Sequence, residues 1–112
     1  MKTIKPYYAV IFTSKQTENT QGYAEMASKM ETLAEQQKGF IGMDSAKNGV
    51  GITVSYWENL EAIKNWKIHT EHVFAQQKGR AQWYSWYRIR ICKVEHEYGF
   101  FSDDNEDLQN KL

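Results

Sequence analysis

The sequence predicts an α+β domain in the strand–helix–strand–strand–helix–strand order of the ferredoxin-like arrangement. Three observations point there. Two stretches carry apolar residues at helical spacing, aromatic and β-branched runs flank them, and an Asn-Gly pair divides the two middle runs as a hairpin would. The first run, Tyr7 to Thr13, is apolar on both faces: Tyr8, Val10 and Phe12 point one way, Tyr7, Ala9 and Ile11 the other. Pro6 stands at its start, where a missing N–H is tolerated. Asn19 or Thr20 is the expected cap of the first helix. In that helix Tyr23, Met26, Ala27, Met30, Leu33 and Ala34 form the apolar stripe, and Gly39 suits its stop.

A second strand is expected over Phe40 to Ala46, and Lys47-Asn48-Gly49 reads as the turn, with a two-residue Asn-Gly loop. The third strand runs from Gly51 to Trp57, with Ile52, Val54 and Tyr56 on one face and Thr53, Ser55 and Trp57 on the other. Glu58-Asn59 opens the second helix, which carries Leu60, Ile63 and Trp66 and continues through His69, His72, Val73 and Phe74 to Gln77, with Gly79 as its end. The last strand is expected over Gln82 to Val94. There Tyr84, Trp86, Arg88, Arg90 and Cys92 alternate with Trp83, Ser85, Tyr87, Ile89 and Ile91. The division expected is one domain over residues 1–101 and an acidic, disordered tail over 102–112, which contains Asp103, Asp104, Glu106 and Asp107.

At 112 residues the chain suits a single domain. Its 14 Lys and Arg balance its 14 Asp and Glu, which argues against a nucleic-acid binder. No apolar run is long enough to span a bilayer, so no membrane association is expected. The apolar run after the basic start, Tyr7 to Phe12, is short for a signal-peptide core, and the expected location is cytoplasmic. The single cysteine, Cys92, excludes an internal disulfide framework. Two helices cover one face of a four-stranded sheet, yet the first and last strands are apolar on both. A second copy packed sheet to sheet is the economical cover, so a homodimer is expected.

The candidate chemistry is aromatic. The chain holds four Trp, seven Tyr and five Phe. Trp57, Trp66, Trp83 and Trp86, with Tyr56 and Tyr84, lie on elements that helix-on-sheet packing brings together, and a pocket walled by such side chains suits a flat aromatic ligand. There is no Gly-rich phosphate loop and no nucleophile elbow. His69 and His72 lie three apart on the second helix, but no third ligand stands nearby at helical spacing except Glu71 or Gln76, and no metal site is expected.

Phe40-Ile41-Gly42-Met43, the segment Ser55-Tyr56-Trp57-Glu58-Asn59-Leu60-Glu61-Ala62-Ile63, then Trp66, His72, Trp83-Tyr84 and Tyr87-Arg88 resemble the antibiotic biosynthesis monooxygenase (ABM) domain family, in particular its small stand-alone members from bacilli. The resemblance spans about Tyr7 to Val94. It implies a dimeric α+β barrel with a pocket between the sheet and the second helical region. It also implies a monooxygenase that acts with O2 on an electron-rich, polyketide-like aromatic small molecule and needs no cofactor. On that reading Trp66 orients the substrate, His72 is the base, and Tyr56, Trp57, Trp83 and Tyr84 bind substrate. The family's haem-degrading branch is the alternative. It places an Asn on the first strand and a haem-ligating His about ten residues past the Trp. Here Tyr7 to Ser14 has no Asn and Gln76 takes the place of the His, so haem is disfavoured. A non-catalytic dimer that binds a small molecule is the third reading. Trp66 and His72 are six residues apart, about 240° around a straight helix. They can share a pocket only if the helix bends, most plausibly near Lys67 to Thr70.

Overall fold

The computed structural model describes residues 5–77 and 80–102, with side chains excepted at 75–77, 80 and 81. Its elements are β1 (Tyr7–Gln16), α1 (Tyr23–Glu35), β2 (Phe40–Asn48), β3 (Val50–Trp57), α2 (Leu60–Gln77), α3 (Arg80–Trp83) and β4 (Tyr84–Val94). The strands form one antiparallel sheet in the order β2-β3-β1-β4, which is the expected ferredoxin-like arrangement with one added turn of helix before β4. The expected acidic tail from Asp103 onward and the helix stop at Gly79 lie outside the described residues. No helix among the described residues is long and apolar enough to cross a membrane.

Alternation along β1 divides its side chains as expected. Tyr8, Val10 and Phe12 join the clusters beneath the helices. Tyr7, Ala9, Ile11 and Thr13 face the other way, beside Tyr56, Val54 and Ile52 of β3 and Cys92, Arg90 and Arg88 of β4. The helix side holds two clusters. Val10, Trp57, Ala62 and Ile63 form one, with Tyr8, Phe40 and Trp66 against it. Met26, Val73, Trp83 and Tyr84 form the other, with Phe12, Tyr23, Met30, Leu33, Phe74 and Tyr87.

Local chemistry sets the junctions. Asn59 caps α2 as expected, its side-chain oxygen accepting the Ala62 amide at 2.8 Å. The cap of α1 differs: it is Gly22, in the left-handed region, with no side-chain bond. Asn19 instead accepts the Gln21 amide at 3.3 Å and closes a local turn ahead of the helix. The hairpin is tighter than a two-residue loop. Asn48 pairs directly with Val50, and Gly49 alone, at φ 78°, turns the chain. α1 ends at Glu35 rather than at Gly39. Gly39 (φ 89°) follows in the turn to β2, where its carbonyl accepts the Glu58 amide at 2.8 Å.

β4 departs most from expectation. Gln82 and Trp83 are helical, and a bulge opposite Lys15 and Gln16 pairs Trp86 with Lys15 but Tyr84 with Gln16. The extra residue reverses the alternation below Trp86. Tyr84 and Tyr87, expected on opposite faces, therefore both lie against Phe12 beneath the helices.

Candidate functional site

The layer between sheet and helices is almost wholly aromatic. In the first cluster Trp57 is fully buried, stacked on Trp66 at 5.7 Å and met edge-on by Phe40 at 5.3 Å. Its indole N–H donates to the Ser55 hydroxyl at 2.8 Å, so both buried polar groups are satisfied. In the second cluster Tyr84 meets Phe12, Tyr23, Phe74 and Tyr87 edge-on, at centroid distances from 5.6 to 6.2 Å. Trp83 donates its indole N–H to the Gln21 carbonyl at 2.7 Å, and its own carbonyl accepts the Thr17 amide at 2.8 Å. These bonds tie α3 to the chain entering α1.

The second cluster ends in polar groups. Tyr84 Oη donates to Tyr23 Oη at 3.5 Å. Burial, and then the bond to Tyr23, push the Tyr84 phenol well above the usual tyrosine range, so it stays protonated. Ser14 is buried in β1. Gln16, two residues on and on the same side, accepts a hydrogen bond from Lys47 Nζ at its Oε1. Its Nε2 is buried and has no acceptor among the described residues. Lys47 lies over the Tyr23 ring, 5.9 Å from the centroid. Strand β2 thus brings a cation, β1 an amide and α1 a phenol to one end of the aromatic layer.

The expected site residues separate. Trp57 and Trp66 belong to the first cluster and Trp83 and Tyr84 to the second. Tyr56 is on the opposite face of the sheet, beside Tyr7 at 6.1 Å, with its hydroxyl donating to Asp44 at 2.9 Å. It cannot share a pocket with Trp57, Trp66, Trp83 or Tyr84. Trp86 is also on that face, opposite Lys15 and 45% exposed. α2 runs unbroken from Leu60 to Gln77, and its covered stripe keeps one phase across the segment where a bend was needed. Its covered stripe is Ala62, Ile63, Trp66, Val73 and Phe74, while His69 and His72 are exposed. Trp66 and His72 are therefore not brought together. The base role of His72 lacks the geometry it requires, because six residues of straight helix turn it away from the sheet. Neither His69 nor His72 is placed to ligate a haem in the aromatic layer, and the Gln76 side chain lies outside the described residues. No group of three His, Cys, Asp or Glu among the described residues is placed to hold a metal ion. A concavity of about 680 Å³ lies elsewhere, on the outer side of α1 between Ala24 and Gln36, and contains none of the aromatic residues.

Sequence reasoning missed Gln16, Lys47, Tyr23 and Ser14. Period-two spacing from Phe12 would have placed Ser14 and Gln16 on the helix side. Lys47 was hidden by its assignment to the turn.

On the open face Tyr7 Oη donates to Glu97 at 2.7 Å. Burial, then the bond to the Glu97 carboxylate and its charge, push the Tyr7 phenol up to about 12. The folded state therefore holds this proton more tightly than the unfolded chain does. The resulting stability is fully present below about pH 10 and is lost as pH rises toward 12. Denaturant titrations at stepwise alkaline pH are expected to show that decline in the parent protein. Tyr7→Phe should decline less steeply over the same range; equal slopes would show that the Tyr7–Glu97 bond contributes nothing.

Over 103 residues the chain is 48% identical to the uncharacterized protein YqjZ of Bacillus subtilis (strain 168), with 90% of each chain covered. No protein-family model matches the sequence. Among solved structures, a candidate antibiotic biosynthesis monooxygenase from Nitrosomonas europaea superposes with a TM-score of 0.64 at 13% identity, covering 88% of this chain and 98% of that one. A variant of SnoaB, a cofactor-independent oxygenase from Streptomyces nogalater, superposes with a TM-score of 0.63 at 6% identity, covering 84% and 97%. The fold is thus shared with ABM-type proteins.

Proposed function

The chain belongs to the family of the Bacillus subtilis protein YqjZ, and we propose that it is a cofactor-independent monooxygenase acting with O2 on an electron-rich, polyketide-like aromatic small molecule. One observation carries this reading: the layer between sheet and helices is packed with aromatic rings, the surface a flat aromatic ligand would share, and ends in polar groups brought together at Gln16, Lys47, Tyr23 and Tyr84. The fold shared with SnoaB supports it. An anthrone illustrates the chemistry. Loss of a proton leaves a stabilised carbanion, which supplies electrons to O2. A C–O bond forms, the resulting hydroperoxide loses water, and a ring CH2 has become C=O. The substrate and O2 account for every electron. The protein needs to exclude water, stack the rings and stabilise the anion. Tyr84 is suited to donate a hydrogen bond rather than to accept a proton.

Oxygen-electrode measurements with anthrone test the reading. Uptake well above the uncatalysed rate, with one O2 consumed per carbonyl formed, is the expected result. No added uptake across a panel of anthrones and polycyclic phenols would leave ligand binding without turnover as the function.

The working unit in this proposal is a homodimer. The open sheet face presents Tyr7, Ile11, Ile52, Val54, Tyr56 and Trp86 with no helix over it among the described residues. Beyond β4, Tyr98 and Phe100 are each 90% exposed, which a second copy would relieve. Light scattering at micromolar concentration is expected to give about twice the 13.2 kDa chain mass. A concentration-independent monomer would remove the dimer.

A further inference from the structure

We propose that the Gln16 amide nitrogen, oriented and polarised through its oxygen by Lys47, forms an oxyanion subsite at the end of the aromatic layer, which receives the ionised phenolic or enolic oxygen of an aromatic ligand. The inference rests on the reading that this layer takes such a ligand, and goes beyond it by naming the atoms that hold the charge. Three observations meet here. The Gln16 amide nitrogen is buried and has no acceptor among the described residues, a costly state for an N–H2 group unless a ligand completes it. Its orientation is set from the other end, because Lys47 Nζ donates to Oε1 and the nitrogen must point away from the lysine. Lys47 also polarises the amide it grips, so Nε2 is a stronger donor than an isolated glutamine.

The neighbouring groups suit an anion. Tyr23 from α1 places its ring under the lysine, and Tyr84 from β4, held protonated, directs its hydroxyl to Tyr23. Phe12, Phe74 and Tyr87 pack beside them as the aromatic part of the cluster. The bulge in β4 sets Tyr84 opposite Gln16, which strand alternation already holds on the helix side.

The test uses the full chain and 1,2-dihydroxyanthraquinone, whose visible absorption reports its ionisation. Binding is followed separately by quenching of tryptophan fluorescence. The bound dye is expected to ionise at a pH at least one unit below the free dye. Lys47→Met should abolish most of that shift, Lys47→Arg should retain it, and Gln16→Glu should reverse it by placing a carboxylate at the amide's position. Circular dichroism checks that each variant is folded, and Gln16→Met replaces any Gln16→Glu protein that is not. Quenching without an ionisation shift, or a shift that survives both Lys47→Met and the Gln16 variant, overturns the subsite and leaves the layer as a ligand site. Absence of any quenching overturns the ligand-site reading and the subsite with it.

Discussion

Trp57→Ala is expected to lower unfolding stability by about 3–5 kcal/mol. Trp57 is wholly buried, its ring stacks on Trp66 and receives the edge of Phe40, and its indole N–H satisfies Ser55. Truncation removes the rings' shared contact, leaves a cavity and strands a buried hydroxyl. A domain of this size has roughly 5–15 kcal/mol in total, so a large share is at stake. Trp57→Phe keeps most of the ring packing and loses the N–H, and should cost less than the alanine variant. Urea titrations followed by circular dichroism measure both. A loss below about 1 kcal/mol for the alanine variant would mean that Trp66 and Phe40 close over the gap, against the rigidity that close packing implies.

Gly39→Ala is expected to cost about 2–4 kcal/mol, from strained backbone and a steric clash together. Gly39 has φ 89°, where a Cβ is disfavoured, and a Cβ there would lie 2.7 Å from that of Ala62. Both neighbours resist movement: Ala62 is buried in the first cluster, and the Gly39 carbonyl is tied to the Glu58 amide. The double variant Gly39→Ala with Ala62→Gly separates the two causes. It removes the clash and keeps the strain, so the two substitutions should be coupled by about 1 kcal/mol or more. Independent, additive losses would show that the backbone angle alone carries the cost.

Much of this protein was legible in its sequence because the relevant signals are local. Element order, strand-face assignment in β1 and β3, and the Asn59 cap follow from periods of 2 and 3.6 and from one side chain's reach to a nearby amide. The aromatic layer followed too, since Trp57 and Trp66 lie on elements that must pack together. The placement of Tyr56 on the face away from Trp57 was already contained in the same alternation, although the expected pocket included both.

What the tertiary structure decided depends on pairing between distant strands and on helix continuity. One extra residue in β4, opposite Lys15 and Gln16, sends Tyr84 to the helix side, and no pattern within residues 82 to 94 marks that bulge. The same register sets Gln16 against Tyr84, while the hairpin carries Lys47 over Tyr23, so the polar end of the layer is assembled from β1, β2, α1 and β4 at once. Whether α2 bends was likewise a tertiary matter: nothing in its packing opens the helix, and His72 stays exposed, away from Trp66. Sequence periodicity marked most of the residues that pack beneath the helices, though Leu60, read with Ile63 and Trp66, stays 54% exposed; strand register, summed over elements far apart in the chain, determined which of them meet.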